Sequence, residues 1–109
     1  MDILIPFNLW SIGRLKANMK LATSRYKKYG VKGDTFSVNG ESYIILLTVK
    51  LPLWLIRDYL FNVEGCDSPA HFVKIWEDIH PSGFKPDDEV WFHFFTKISF
   101  DANQKRLEF

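Results

Sequence analysis

The sequence predicts a small α+β domain in which a mixed, strongly curved sheet, or open barrel, is surrounded by about three helices. Three observations support this: an Asn-Gly hairpin in the middle of the chain, a β-rich segment near its end, and apolar residues at helical spacing between them. The 109 residues leave room for one hydrophobic core, so we expect a single domain over residues 1–109. Residues 101–109 fit either a flexible tail or a last strand.

The hairpin is the clearest local signal. Residues 34–38 alternate in polarity, Asn39-Gly40 follows, and residues 42–47 resume an extended pattern. Asn-Gly favours a two-residue type I′ turn because both central residues need positive φ. The strand after the turn is apolar on both faces and should therefore lie centrally in the sheet. Residues 89–99 are the second β-rich segment.

A helix is predicted after Ser68, which can cap its first turn, with Pro69 at the first helical position. Spacings of three and four residues give this helix one stripe that we expect to be buried. The stripe consists of Phe72, Ile75, Trp76 and Ile79.

Two further helices are expected before and after the hairpin. The first covers residues 9–17, and the second covers residues 52–61, beginning with a proline and running toward Gly65. The inward-facing residues of the first are expected to be Leu9, Ile12 and Leu15.

Composition excludes several classes of protein. The 10 Phe, 4 Trp and 4 Tyr exclude a disordered chain, and the net charge of +1 excludes a strongly basic, histone-like binder. The longest apolar run, residues 43–49, is too short to cross a membrane, and the first residues lack the basic start of a secretory signal. With Cys66 as the one cysteine, we expect a cytoplasmic, reduced protein without a membrane partner.

Charge is distributed unevenly along the chain. Residues 3–33 contain no acidic residue but seven of the 14 basic ones, whereas residues 58–89 are predominantly acidic. Tyr26 and Tyr29 are interleaved with a set of cations, which are Arg25, Lys27 and Lys28. Aromatic rings stack on bases and cations hold phosphates, so this run fits a nucleic-acid or nucleotide surface. A solvated face is the alternative interpretation.

Short motifs spread over most of the chain, from about Phe7 to Phe95, occur in an order that resembles the ASCH family of the PUA-like superfamily. The motifs are Lys20-x-x-Thr23-x-Arg25, Gly33-Asp34, Glu64-Gly65, the pair Phe72 and Trp76, and the final aromatic-rich strand. The resemblance implies a PUA-like open β-barrel. It also implies function: several small family members are amidohydrolases that remove the acetyl group from the exocyclic amine of cytidine, and others bind or process RNA.

Carried over by motif, the catalytic residues of these hydrolases are Lys20, Thr23 and Glu64. Amide hydrolysis needs a nucleophile, a base and an acid, which gives Thr23 the first role, Lys20 the second and Glu64 the third or the positioning of water. Lysine acts as a base only when neutral, so desolvation or a nearby cation such as Arg25 has to lower its pKa from about 10.4. We expect Lys20 at the exit of the first helix and Thr23 near the start of a strand, sharing a face with Arg25.

Two alternatives stay open at this point. Without the resemblance, Lys20 and Thr23 fit a solvated lysine and an ordinary β-branched strand residue. The chain also fits a non-catalytic RNA-binding module that uses the same cleft and the basic run 14–32. The residues expected to bind substrate or RNA are Arg25, Tyr26, Lys27 and Lys28. The partner is RNA or a modified nucleoside, bound by a monomer.

No cofactor or metal is expected. The three histidines lie nine and thirteen residues apart and lack the spacing of a zinc site. His80 fits the end of the third helix, and His93 fits a packed, hydrogen-bonded side chain.

Overall fold

A computed structural model describes residues 1–100 and 105–108 of the chain. The fold is α+β: a curled antiparallel sheet with three helices around it. The elements in chain order are helix α1 (Leu9–Lys16), strands β1 (Ala22–Arg25), β2 (Thr35–Val38) and β3 (Glu41–Pro52), helix α2 (Leu53–Leu55), which continues as a π-helical turn (Ile56–Leu60), helix α3 (Pro69–Ile79), and strands β4 (Glu89–Phe100) and β5 (Lys105–Glu108).

The strand order is β1-β4-β3-β2, with β5 also pairing with β4. Every ladder between these strands is antiparallel, and within the described residues the parallel pairing is confined to an isolated bridge between Asp2 and Thr35. The prediction of a mixed sheet is therefore wrong. The reason lies in the long connection after β3: Pro52 pairs with Glu89, so the helical excursion begins and ends at the same end of the sheet and β4 returns alongside β3.

The hairpin prediction is confirmed. Asn39 and Gly40 have φ values of 50° and 82°, as a type I′ turn requires. Strand β3 pairs with β2 on one side and β4 on the other, so it is central as expected. A register shift between Ile45 and Leu47 marks a bulge in β3, and bulges bend a strand and increase its twist, which favours the curl of the sheet.

The core lies on both faces of β4. Val90 and Phe92 pack into one cluster beneath α2 and α3, whereas Phe95 packs into a second cluster with Leu15 of α1 and with the hairpin. The alternation of side chains along a strand explains the split, because residues an odd number apart point to opposite faces.

The helix predictions hold in part. Helix α3 begins after Ser68, whose hydroxyl accepts a hydrogen bond from the His71 N–H at 3.0 Å, and Phe72 and Trp76 are buried. Ile79 is 49% exposed, so its predicted burial is wrong; it lies at a cavity described below. His80 caps the helix as expected.

Helix α1 buries a different face from the one predicted. Leu15 is buried as expected, but Leu9 is 87% exposed. Ser11 and Leu15, four residues apart, form the buried face. Leu9 precedes Ser11 by two residues, which is about 200° around the helix, and therefore points away from the core.

The predicted helix over 52–61 is α-helical only at Leu53–Leu55. Within the described part of the chain, no helix is long and apolar enough to span a membrane. At the C-terminal end, residues 105–108 form a strand on β4, while residues 101–104 and 109 lie outside the described residues.

Candidate active site

A cavity of about 330 Å³ lies beside β1, which is the terminal strand of the sheet order. One side of the cavity is polar. It is formed by residues of β1, by Lys20 in the turn that precedes β1, and by Glu64 in a turn that packs against that one. The other side is apolar and is formed by α3, through Phe72, Ile75, Trp76 and Ile79. Ile79 is exposed because its side chain faces this cavity and is not covered by another helix or strand.

Lys20 enters the cavity from the turn that joins α1 to β1, as predicted. Asn18, with φ of 58°, reverses the chain after the helix, and the Lys20 N–H donates to the Arg14 carbonyl at 3.3 Å. The following N–H groups of Leu21 and Ala22 donate to the Val63 carbonyl at 2.7 and 3.0 Å. These bonds bring the Lys20 turn against the turn that carries Glu64.

Gly65 allows the two turns to approach closely. It has φ of +94°, a conformation that side chains other than glycine rarely adopt, and a Cβ atom there would lie 3.2 Å from the Lys20 Cβ. Lys20 Nζ donates to the Glu64 carbonyl at 3.0 Å and contacts Glu64 Oε1 at 3.3 Å. Lys20 is only 5% exposed and Glu64 only 4%, so this is a buried ion pair.

Ser24 is a site residue that sequence reasoning missed. Its Oγ donates to Glu64 Oε2 at 2.5 Å, and it is buried and lines the cavity. Both oxygens of the Glu64 carboxylate are therefore held, one by an ammonium and one by a hydroxyl. Nothing in the local sequence marks this serine, because its partner lies forty residues further along the chain.

Thr23 and Arg25 share a face of β1, as predicted. Arg25 Nε donates to Thr23 Oγ1 at 3.0 Å, and Arg25 Nη2 donates to the Pro6 carbonyl at 2.6 Å. Thr23 lies opposite His93 in the register and Ser24 lies opposite Phe92, so the two hydroxyls project from opposite faces of the strand. Both line the cavity, which therefore extends around the edge of β1.

Burial shifts the pKa values of Lys20, Arg25 and Cys66, which all line the cavity. Desolvation lowers the pKa of Lys20; the Glu64 carboxylate opposes this shift and Arg25 adds to it. Desolvation also lowers the pKa of Arg25. Burial and then the Glu64 charge raise the pKa of the Cys66 thiol to about 11, which keeps it protonated and weakly nucleophilic at neutral pH.

Tyr26 lies at the mouth of the cavity. Its ring meets Trp76 edge-on with centroids 5.5 Å apart, and its hydroxyl donates to Asp88 Oδ2 at 2.7 Å. Burial, with Asp88 adding to it, raises the pKa of Tyr26 to about 12. Behind it, His80 stacks on Trp76 with ring centroids 3.9 Å apart. The apolar wall thus carries aromatic rings that pack against one another.

Arg25 and Lys27 line this cavity, and Lys28 and Lys50 lie beyond it over Trp91; we call these four cations the cationic rim. Lys27 Nζ lies 5.0 Å from the Tyr29 ring centroid and the Arg25 guanidinium lies 5.5 Å from it. Lys28 and Lys50 lie 4.8 and 5.6 Å from the Trp91 ring centroid. Lys50 belongs to β3 and lies outside the basic run 14–32, so it was not among the residues predicted to bind a ligand.

His93 holds the segment after β1 in place. It is fully buried; its Nε2 accepts from the Tyr29 N–H at 3.1 Å, and its Nδ1 lies 3.1 Å from the Thr23 carbonyl. Burial lowers the pKa of His93, with Arg25 and Lys28 adding to the shift. The prediction of a packed, hydrogen-bonded histidine is confirmed. Among residues 1–100 and 105–108, no three His, Cys, Asp or Glu side chains are grouped to hold a metal ion.

No family model, curated protein or solved structure matches this chain. The ASCH resemblance drawn from the motifs stays a prediction. Of the residues predicted for the site, six line this cavity: Lys20, Thr23, Arg25, Tyr26, Lys27 and Glu64. Lys28 lies over Trp91.

Proposed function

We propose that this protein is an ASCH-type, PUA-like amidohydrolase that removes the acyl group from the exocyclic amine of cytidine, either as a nucleoside or within RNA. The observation that carries the proposal is the buried Lys20–Glu64 pair at the wall of a cavity. Clefts with a few convergent polar groups and perturbed ionisable residues are the usual location of active sites.

The ion pair is better explained by chemistry than by stability. Burying two charges costs several kcal/mol per ion in desolvation, and an apolar pair of similar volume is often at least as stable. Lys20 and Glu64 instead face a space that can hold a ligand, and Ser24 adds a hydroxyl to the same carboxylate. A lysine, a carboxylate and a hydroxyl can supply the base, the acid and the nucleophile that amide hydrolysis needs.

Motif and chemistry together assign the roles. Lys20, with its pKa lowered by burial, accepts a proton as base, Thr23 is the nucleophile of the motif, and Glu64 protonates the leaving nitrogen or orients water. The aromatic wall of α3 supplies a surface for a pyrimidine ring, since ring stacking is tolerant of base identity. We place the protein in the cytoplasm, where the free thiol of Cys66 stays reduced.

Product analysis tests the proposal. Purified protein is incubated with acetylcytidine, and the release of cytidine and acetate is followed by chromatography. We expect Lys20→Met to lower the rate by about 100-fold or more, because base catalysis contributes at least this factor. Lys16→Met, an exposed lysine of α1, is the matched control and should keep the rate. Turnover that survives in Lys20→Met would contradict the assignment.

A second candidate function is a non-catalytic RNA-binding module, favoured by the cationic rim. Its cations lie over the aromatic rings of Tyr29 and Trp91, the combination typical of single-stranded nucleic-acid sites. Replacing Lys27 and Lys28 by Glu should weaken RNA binding and its salt dependence, whereas Lys74→Glu on the outer side of α3 should not. Unchanged RNA binding in the double variant would argue against this function.

A further inference from the structure

We infer that Ser24, and not Thr23, is the hydroxyl that receives the acyl group, with Glu64 as its base. The inference rests on the proposed function and replaces the roles that the motif implies: Ser24 takes the place of Thr23 as nucleophile, Glu64 takes the place of Lys20 as base, and Lys20 positions Glu64. Ser24 Oγ lies 2.5 Å from Glu64 Oε2, within the distance at which a carboxylate can take a hydroxyl proton. Ser24 also lines the cavity, so an attacking oxygen there can reach a bound ligand.

Thr23 has a different environment. Its Oγ1 accepts a hydrogen bond from Arg25 Nε, and it projects from the face of β1 opposite to Ser24. Within the described part of the chain, no hydrogen bond joins the Thr23 hydroxyl to Lys20 or to Glu64. A hydroxyl held by a cation without a base in reach is poorly placed to lose its proton.

The Ser24 arrangement has the three parts of an activated nucleophile: a hydroxyl, a base that it contacts, and a group that orients the base. The third part is Lys20, whose Nζ holds Glu64 Oε1 at 3.3 Å and the Glu64 carbonyl at 3.0 Å. Lys20 is then a positioning residue whose ammonium fixes the carboxylate.

The direction of the side chain also favours Ser24. Ser24 lies on the same face of β1 as Ala22, and Ala22 packs in the hydrophobic core cluster that contains Phe72 and Trp76. The Ser24 hydroxyl is therefore on the side of β1 that faces the α3 wall, where a ligand bound between the two elements is within its reach. Thr23 faces the side of the strand where Arg25 lies over Phe7 and Tyr29.

The reaction balances in two steps. In the first, the Ser24 proton passes to Glu64 Oε2, Oγ attacks the carbonyl carbon, and the C–N bond breaks as Glu64 returns the proton to the exocyclic nitrogen. This leaves an ester on Ser24 and free cytidine. In the second, water attacks the ester carbonyl while Glu64 takes its proton, and the C–O bond breaks as Oγ regains the proton, releasing the carboxylic acid.

Peptide mapping after reaction with acetylcytidine tests the assignment. Wild type is quenched in acid during turnover, digested, and analysed by mass spectrometry for the acetylated residue. We expect the acetyl group on Ser24 in the wild type and still on Ser24 in Thr23→Val, and a rate loss of about 100-fold or more in Ser24→Ala. An acetyl group on Thr23, or Ser24→Ala with near wild-type turnover, would overturn the inference.

Two further measurements distinguish a failure of this inference from misfolding of a variant and from a failure of the proposed function. Glu64→Gln keeps the side-chain shape and should prevent acylation of Ser24; acylation at the wild-type rate would contradict Glu64 as base. If wild type does not turn over acetylcytidine, the proposed function fails, and p-nitrophenyl acetate becomes the probe. Stoichiometric acetylation of Ser24 by that ester, lost in Glu64→Gln, would still support the nucleophile, whereas labelling elsewhere would refute it.

Discussion

Lys20 and Lys27 both line the same cavity, yet they lie in opposite surroundings. Lys20 belongs to a buried cluster with Ser24 and Glu64, in which every charged or polar group has a protein partner. Lys27 belongs to the cationic rim, is exposed, and lies over the ring of Tyr29. A buried charge interacts with fixed protein neighbours, whereas an exposed cation can still bind a phosphate. The buried cluster therefore suits catalysis, and the cationic rim suits the binding of a nucleic acid.

The two regions also differ in what a substitution should cost. Removing one partner of a buried ion pair leaves the other charge unpaired in a medium of low dielectric constant. Removing a rim lysine removes only a cation–ring contact next to bulk water.

Lys20→Met should lower the free energy of unfolding by roughly 3–5 kcal/mol, because it leaves the Glu64 carboxylate buried without its cation. The double variant Lys20→Met/Glu64→Leu should recover most of this loss, since it removes both charges. Denaturant unfolding of the wild type and the two variants measures both quantities. A single variant that loses less than about 1 kcal/mol would show that the pair is not effectively buried.

Gly65→Ala should destabilise the fold by roughly 1–3 kcal/mol, because alanine is strained at φ of +94° and its Cβ would crowd Lys20. The matched control is Gly13→Ala, where a Cβ would meet nothing within 4 Å and an alanine inside α1 should stabilise by roughly 0.5–1 kcal/mol. Thermal unfolding of both variants checks the opposite signs. Equal shifts would argue against a specific role for Gly65 in joining the two turns.

The stability of the cluster should depend on pH. Because burial lowers the pKa of Lys20 below its ordinary 10.5, the unfolded chain binds more protons than the folded one between the two values. The free energy of unfolding should therefore rise with pH through this window, as the cost of burying a charged ammonium disappears. The comparison is between wild type and Lys20→Met/Glu64→Leu from pH 7 to about pH 10. Parallel curves would mean that Lys20 keeps its ordinary pKa.

Lys50→Gln should have the smallest effect. The lysine is exposed and its contact with Trp91 contributes about 0.5–1 kcal/mol at most. If the rim binds RNA, the slope of log affinity against log salt should fall by about one for the lost phosphate contact. Fluorescence anisotropy over a salt series measures the slope, and an unchanged slope would mean that Lys50 makes no contact with an RNA phosphate.

The sequence predicted best those features that depend on local chemistry. The Asn39-Gly40 turn depends on the φ preferences of two residues, and the Ser68 cap depends on one hydrogen bond within the first helical turn. Short motifs were therefore sufficient to place both features. Helix burial was less predictable, because Ile79 has the right spacing but faces a cavity. Spacing defines a stripe on a helix but not what covers it.

The candidate site shows more clearly that local sequence patterns do not predict contacts between distant parts of the chain. Lys20, Thr23 and Glu64 could be named from motifs, but hydrogen bonds depend on which turn packs against which. The contact between Ser24 and Glu64 needs the Leu21 and Ala22 N–H groups to anchor on the Val63 carbonyl, a long-range event that no local pattern encodes. For the same reason Lys50 could not be assigned to the rim.

The most direct test of the central claim, that the buried carboxylate does chemistry in this cavity, is the rate of cytidine release from acetylcytidine by Glu64→Gln. The reference variant is Glu77→Gln, which changes an exposed carboxylate of α3 in the same way. We predict that Glu77→Gln keeps the wild-type rate while Glu64→Gln, folded as judged by circular dichroism, loses about 100-fold or more. Equal rates in the two variants, or a wild type that releases no cytidine, would contradict the account.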